Sequence, residues 1–454
     1  MERLDFPELT PRALKRINRA RHKAREELKD QKKDWVKNNY HETCDKLLPP
    51  VVDTVPRVDA RSLSCEEFRN KYEIPRIPIV LTHLMEDWPA MTKWTMKKLV
   101  KKYRNQSFKV GEDNRGNSVK LKLKYYKDYV SCNKDDSPLY VFDGNYGEHR
   151  KKCQFLEDYK VPEYFAEDLF RLVGEKRRPP YRWVVFGPKR SGTSVHIDPL
   201  GTHAWNALVS GYKRWILFPT HTARWLLKQK LPDSEAITWF KFVHPQTDDP
   251  NWPEDCKPIE CLQGPGEMMF VPGGWWHAVL NVSDTVAVTH NYVSTANFAA
   301  SWHKTARGRP KLSKKWLAQL REHRPDLAKI ADDTDLSVKL AEQSDSSSNG
   351  STSSSSSSSS SCSTCLTDSN SDNDRSRPVS RKKTSAKKKA GKRGNESEEG
   401  RRKRYRSKRE RDRTNYRNKR PSHSEDDKKE KKSGKSSRQG SSENSNQGRP
   451  AREH

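Results

Sequence analysis

The sequence predicts a mainly β chain, a sandwich or barrel of short antiparallel strands carried between basic extensions. Short apolar or alternating runs crowd residues 41–300, separated by turn residues such as Ser210-Gly211 and Pro272-Gly273-Gly274. Hydrophobic residues make up only 32% of the 454, too few for the whole length to fold. The 89 Lys and Arg against 60 Asp and Glu leave a net charge of +29. More than half of that excess falls in residues 371–454, so a moderately basic body is expected to carry a strongly basic tail.

In chain order, residues 1–40 read as a basic helical arm. Leu14, Ile17, Ala24 and Leu28 recur on a loose helical period through 11–36, surrounded by Lys and Arg. Such an arm either lies solvated on the body or touches RNA or DNA. The body spans 41–300. Val119-Lys-Leu121-Lys-Leu123 alternates strictly after the turn residues Asp113–Asn117, which predicts a hairpin. Ala204–Val209 and Tyr212–Phe218 are apolar runs joined by Ser210-Gly211, a connection suited to a tight antiparallel turn. Further strands are expected at Tyr181–Phe186, Glu267–Val271, Trp275–Leu280 and Thr285–Asn291. Val161–Val173 predicts a helix between them, with Pro162 in its first turn and Gly174 as its stop.

Residues 301–335 read as a C-terminal helical region. Its helix over Ser313–Ala331 presents Trp316, Leu317, Leu320, Leu327 and Ile330, which pack on the body or pair two copies into a homodimer. Just before it, Arg307-Gly-Arg309-Pro310-Lys311 has the Arg-Gly-Arg core of an AT-hook, which lies in the minor groove of A·T-rich DNA; a basic turn is the plainer reading, and contact with RNA phosphates is a further one. Residues 336–370, with poly-Ser at 344–361, read as a disordered spacer and 371–454 as a disordered Arg/Lys/Ser-rich tail. The basic blocks 381–389 and 401–413 suit nuclear import, so the nucleus is the expected location.

Several classes are set aside. The longest apolar stretch, Met268–Ser283, is short and broken by Pro272-Gly-Gly274, so no membrane span is expected. MERLDFPELT has no apolar core of a secretory signal. Eight irregularly spaced cysteines match no disulfide framework and suit a reducing compartment. Cys362-x-x-Cys365 has no second pair and is not expected to hold zinc.

The chemistry centres on Thr193-Ser-Val-His196-Ile-Asp198 and on Gly273-Gly-Trp-Trp-His277. Residues i and i+2 of a strand share a face, so His196 and Asp198 can grip one metal ion. His277 from a distant strand would complete a two-His-one-carboxylate triad, which leaves open positions on non-haem Fe(II). A chelating co-substrate such as 2-oxoglutarate needs a cation for its far carboxylate, and Lys213 sits in an apolar run just downstream.

HIDPLGTHAWNALVSGYKRWILFP, PGEMMFVPGGWWHAVLN and AVTHNYVS resemble the Jumonji-C family of Fe(II)- and 2-oxoglutarate-dependent oxygenases. YRNQSFKVGEDN, DDSPLYVFD, GEKRRPPYRW and WHKTARGRPKLSKKW also resemble its branch that combines arginine demethylase and lysyl hydroxylase activities. The resemblance covers about residues 11–335. It implies a double-stranded β-helix, or cupin-like jelly roll, with flanking helices. It also implies Fe(II) on His196, Asp198 and His277, with 2-oxoglutarate and O2 as co-substrates. Lys213 and Thr289 would bind the far carboxylate, with Asn206, Tyr140 and Thr193 lining the pocket. His203 and His290 are not expected to be ligands. The expected activity is hydroxylation of lysines in splicing-factor proteins, with histone methylarginine demethylation as a second activity and RNA or DNA held by the basic arms. The rival is a non-catalytic nucleic-acid-binding scaffold on the same fold, which would have no need of an open iron site.

Overall fold

The computed structural model describes residues 9–338; the expectations for the spacer and tail beyond 338, and for Cys362 and Cys365, lie outside the described residues. Its strands are β1 (Arg57–Asp59), β2 (Ile79–Thr82), β3 (Ser107–Glu112), β4 (Ser118–Lys122), β5 (Val141–Asp143), β6 (Arg182–Gly187), β7 (Gly192–His196), β8 (His203–Ser210), β9 (Lys213–Phe218), β10 (Ile259–Gln263), β11 (Met268–Val271), β12 (Trp276–Asn281) and β13 (Thr285–Tyr292). Seven form one sheet in the order β1-β2-β11-β8-β13-β6-β5, four form a facing sheet in the order β10-β9-β12-β7, and β3-β4 is the expected hairpin. Except for β1 with β2, the strand pairs are antiparallel. From β6 to β13, eight strands divide four and four between the two larger sheets, which is the jelly roll.

This layering explains why the central strands read as unbroken apolar runs. Side chains of β8 alternate between two buried environments: Trp205, Ala207 and Val209 enter the cluster beneath the N-terminal helices, while Ala204 and Leu208 face the interior between the sheets. A strand covered on both faces has no polar side to show. The four-stranded sheet is covered outside by the helix Ala236–Phe242, through Ile237, Trp239 and Phe240 against Ile216, Phe218 and Ala278.

Four local expectations change. Ser210-Gly211 does not pair the runs it joins, because β8 and β9 belong to different sheets and the turn carries the chain across the sandwich. Val161–Val173 is two short 3₁₀ turns, Glu163–Phe165 and Leu169–Val173, broken at Asp168. The Asp168 carboxylate accepts from the Phe170 amide and pairs with Arg178, and its backbone is extended. Ser313–Ala331 is likewise two helices, Pro310–His323 and Pro325–Asp332, because Pro325 drives Arg324 out of helical geometry. Trp316, Leu320 and Leu327 pack with Phe298 and Trp302 of this same chain, leaving Ile330 as the exposed apolar position of that face. The N-terminal helix stops at Ala24 and buries Ala13, Ile17 and Ala20, while Leu14 is exposed. The AT-hook-like core is a corner between helices: Gly308 ends one, Pro310 begins the next, and Arg307 donates to the carbonyls of Leu336 and Val338.

The crossing at Gly211 is sterically exacting. Its φ is +84°, and a Cβ there would lie 2.1 Å from the Asp284 carbonyl oxygen. Gly211→Ala should therefore destabilise the fold by about 2 kcal/mol or more. Urea unfolding monitored by tryptophan fluorescence checks this, and an unchanged midpoint would show that the crossing tolerates a side chain.

Candidate metal and co-substrate site

The site begins with a register. On the four-stranded sheet His277 of β12 is the direct partner of His196 of β7, so the two rings project from one face with centroids 4.1 Å apart. The β7 strand ends at His196; Asp198 follows with φ −61° and ψ 140°. That extended backbone keeps the carboxylate on the same face although it lies outside the ladder. Asp198 Oδ1 is 3.7 Å from His196 Nε2 and 3.9 Å from His277 Nε2.

The tautomers follow from the hydrogen bonds. His196 Nδ1 is 2.9 Å from the Ser194 carbonyl and His277 Nδ1 is 3.1 Å from the Trp275 carbonyl. A carbonyl oxygen only accepts, so each Nδ1 carries the hydrogen and each Nε2 keeps its lone pair toward Asp198. Burial, with His277 beside it, holds the His196 pKa well below the ordinary histidine value, so the ring is neutral. Burial raises the Asp198 pKa, against His277 and a hydrogen bond from Asn291; a dication between the three groups would keep the carboxylate ionised. Two imidazole nitrogens and one carboxylate oxygen, within 4.8 Å of one another, suit an ion at bond lengths of about 2.0–2.2 Å. This donor set fits Fe(II) and leaves the rest of its coordination sphere open.

The residues expected to hold the co-substrate fall into two groups. Lys213 opens β9 and is 1% exposed. Its Nζ donates to Asn281 Oδ1 at 2.7 Å and to the Tyr140 hydroxyl at 3.3 Å. Asn281 is its register partner on β12 and is itself oriented by donating to Ser191 Oγ at 2.9 Å. None of these partners is a carboxylate, and burial lowers the lysine pKa to about 7. Thr289 and Asn206 are register partners on β13 and β8. Thr289 Oγ1 donates to the Trp205 carbonyl at 2.9 Å, while the buried Asn206 Oδ1 has no hydrogen-bond partner among the described residues. A buried ammonium with only neutral partners and a buried amide oxygen without a donor, among the described residues, fit a dicarboxylate. Thr193 is half-buried on β7, across from Val279.

His203 and His290 lie outside the triad. Both are buried: His203 Nδ1 accepts from the Gly273 amide, and His290 stacks on Trp205 and hydrogen-bonds the Tyr159 hydroxyl at 2.7 Å. The sequence reading missed Asn281, Ser191 and Asn291. Asn281 sits two residues before Ser283, a glycosylation-like spacing that points to a surface loop, whereas here it ends a buried strand.

The Lys213 environment gives a pH dependence with a definite sign. The neutral amine is favoured above pH 7, and binding a dianion requires the ammonium, so binding takes up a proton there. The dissociation constant for 2-oxoglutarate should rise with pH above 7, approaching tenfold per unit. Lys213→Arg, always charged, should flatten that rise, and Lys213→Ala should weaken binding at pH 7 by about tenfold or more. Calorimetric titrations between pH 6.5 and 9 check this; a flat profile in the unmodified protein would remove Lys213 from the role.

Residues 65–298 match the cupin-like domain family. The chain is 54% identical over 326 residues to the bifunctional arginine demethylase and lysyl-hydroxylase psr-1 of Caenorhabditis briggsae, covering 70% of this chain and 81% of that one. It is 40% identical over 252 residues to the arginine-specific demethylase JMJ22 of Arabidopsis thaliana, covering 54% and 47%. It is 27% identical over 276 residues to the 2-oxoglutarate and iron-dependent oxygenase JMJD4 of Gallus gallus, covering 55% and 62%. A family match across half the chain, on a jelly roll that carries the His-Asp-His triad, makes this chain a member of the cupin-like Jumonji-C family.

Proposed function

We propose that this chain is an Fe(II)- and 2-oxoglutarate-dependent oxygenase that hydroxylates lysine side chains of nuclear proteins, Arg/Ser-rich splicing factors foremost, and demethylates methylarginine in histones. The observation that carries the oxygenase is the convergence of His196 Nε2, His277 Nε2 and the Asp198 carboxylate on the sheet whose strand β9 carries Lys213, buried with only neutral partners among the described residues. The names of the psr-1 and JMJ22 relatives support the two side-chain chemistries.

Iron with 2-oxoglutarate and O2 supplies the oxidant when bound. The protein's own work is positional. Lys213 anchors the far carboxylate, held by Asn281 and Tyr140; Asn206 and Thr289 add polar contacts; Nδ1 hydrogen bonds keep both imidazoles aimed. The apolar interior around Trp215, Leu217 and Val279 keeps bulk water from the reacting groups. Oxygen inserted into a lysine C–H gives hydroxylysine. Inserted into an N-methyl group of arginine, it gives a hydroxymethyl group that leaves as formaldehyde. One site therefore serves both substrates.

A scaffold without catalysis would gain nothing from a buried uncompensated lysine, which costs stability. His196→Ala and Asp198→Ala should each abolish hydroxylation of a lysine peptide, read as one added oxygen atom by mass spectrometry, while the fold persists. Full turnover by either variant would overturn the reading. The basic tail is proposed to hold nucleic acid and to concentrate the protein in the nucleus. Removing 371–454 should leave peptide turnover nearly intact but reduce the salt dependence of RNA binding, which for about six phosphate contacts spans roughly 10³-fold between 50 and 200 mM salt. An unchanged salt slope and unchanged location would leave the tail without that role.

A further inference from the structure

We infer that the cleft between the N-terminal helix and the β3–β4 hairpin docks an extended phosphoserine segment of the substrate protein. The cleft encloses about 460 Å³ and is walled by Arg12, Arg16, Arg19 and Lys23 on the helix and by Lys120 and Lys122 on β4. The same helix pins itself down with other cations: Arg21 pairs with Asp135 at 2.9 Å, and Arg25, at its end, pairs with Glu235 at 2.6 Å. The six cleft cations have no ion pair or side-chain hydrogen bond among the described residues. Spaced i, i+4, i+7 and i+11, the four on the helix form one stripe about 16 Å long in which neighbours repel. A stripe of like charge facing two more lysines is complemented best by a polyanion of matching length.

The shape of the cleft selects among polyanions. Arginine supplies three of the six cations, and its planar guanidinium suits the oxygens of a phosphate. In an extended peptide, alternate residues lie about 6.7 Å apart, close to the rise of about 6 Å between helical positions i and i+4. Three phosphates on alternate residues therefore follow the stripe, each with roughly −1.5 to −2 charge. Ser107 and Ser118 add hydroxyl donors. Tyr125, the aromatic residue of the lining, is buried at 8% exposure. A single-stranded nucleic acid would thus find phosphate partners but no exposed ring on which to stack its bases. For its biological source the inference rests on the Arg/Ser-rich substrates proposed above, whose serines are available for phosphorylation.

The test uses the full chain and Arg12→Glu/Arg16→Glu/Arg19→Glu, whose three positions are exposed. The probes are a peptide with three phosphoserines at alternate positions, its unphosphorylated form, and a single-stranded RNA oligonucleotide. The phosphopeptide is expected to slow amide exchange within 11–24 and 107–122, and to lose tenfold or more in affinity in the triple variant. Turnover of an unphosphorylated lysine peptide is expected to stay unchanged. Equal phosphopeptide affinity in variant and unmodified protein overturns the inference, as does protection of these segments by RNA alone. If neither protein turns over the lysine peptide while the phosphopeptide still discriminates between them, the substrate reading fails and the cleft stands.

Discussion

Everything at the centre depends on the pairing of β7 with β12, which sets His277 opposite His196. With that register, two strands far apart in sequence deliver both imidazoles to one point, and the extended turn after β7 adds Asp198. A slip of one residue would turn a ring to the other face of the sheet. The same strand, β12, also carries Asn281, which meets Lys213 across the neighbouring ladder. His277 and the partner of Lys213 are thus positioned by a single strand, and the packing of Ile237 and Trp239 against Ala278 holds it from outside.

Burial is what turns these side chains into a site. His196 is kept neutral by desolvation, which leaves its Nε2 lone pair for a cation. Lys213 is brought to a pKa of about 7 by the same cause, and only neutral oxygens touch it. The fold bears these costs because helices pack on the outer faces of the sheets and apolar side chains fill the space between them.

Much of this was legible in the sequence, for identifiable reasons. The strands β6, β8, β9, β12 and β13 were readable because chains buried on both faces write continuous apolar runs. The convergence of His196, Asp198 and His277 was readable because a His-x-Asp pair on one strand face is an unusual pattern that metal binding explains. Connectivity was not readable: Ser210-Gly211 looks like a hairpin turn whether the strands it joins pair or enter opposite sheets. Asn281 and Asn291 were missed because an asparagine carries no mark of burial; only the folded chain shows that one meets Lys213 through the register and the other reaches Asp198 by a hydrogen bond. Leu14 proved exposed and Ala20 buried because a helix pressed close against a hairpin selects small residues, which periodicity alone undervalues. The breaks at Asp168 and Arg324 came from one side-chain cap and one proline, local effects that override a longer apolar pattern.

The most direct measurement is an anaerobic titration of the protein with Fe(II) and 2-oxoglutarate, following the visible charge-transfer absorption of the iron–keto-acid chelate. One equivalent of each per chain should saturate the band in the unmodified protein. The band should be lost in Asp198→Ala and should require far more 2-oxoglutarate in Lys213→Ala. Absence of the band in the unmodified protein, or an identical titration in both variants, would contradict the assignment of this triad and this lysine.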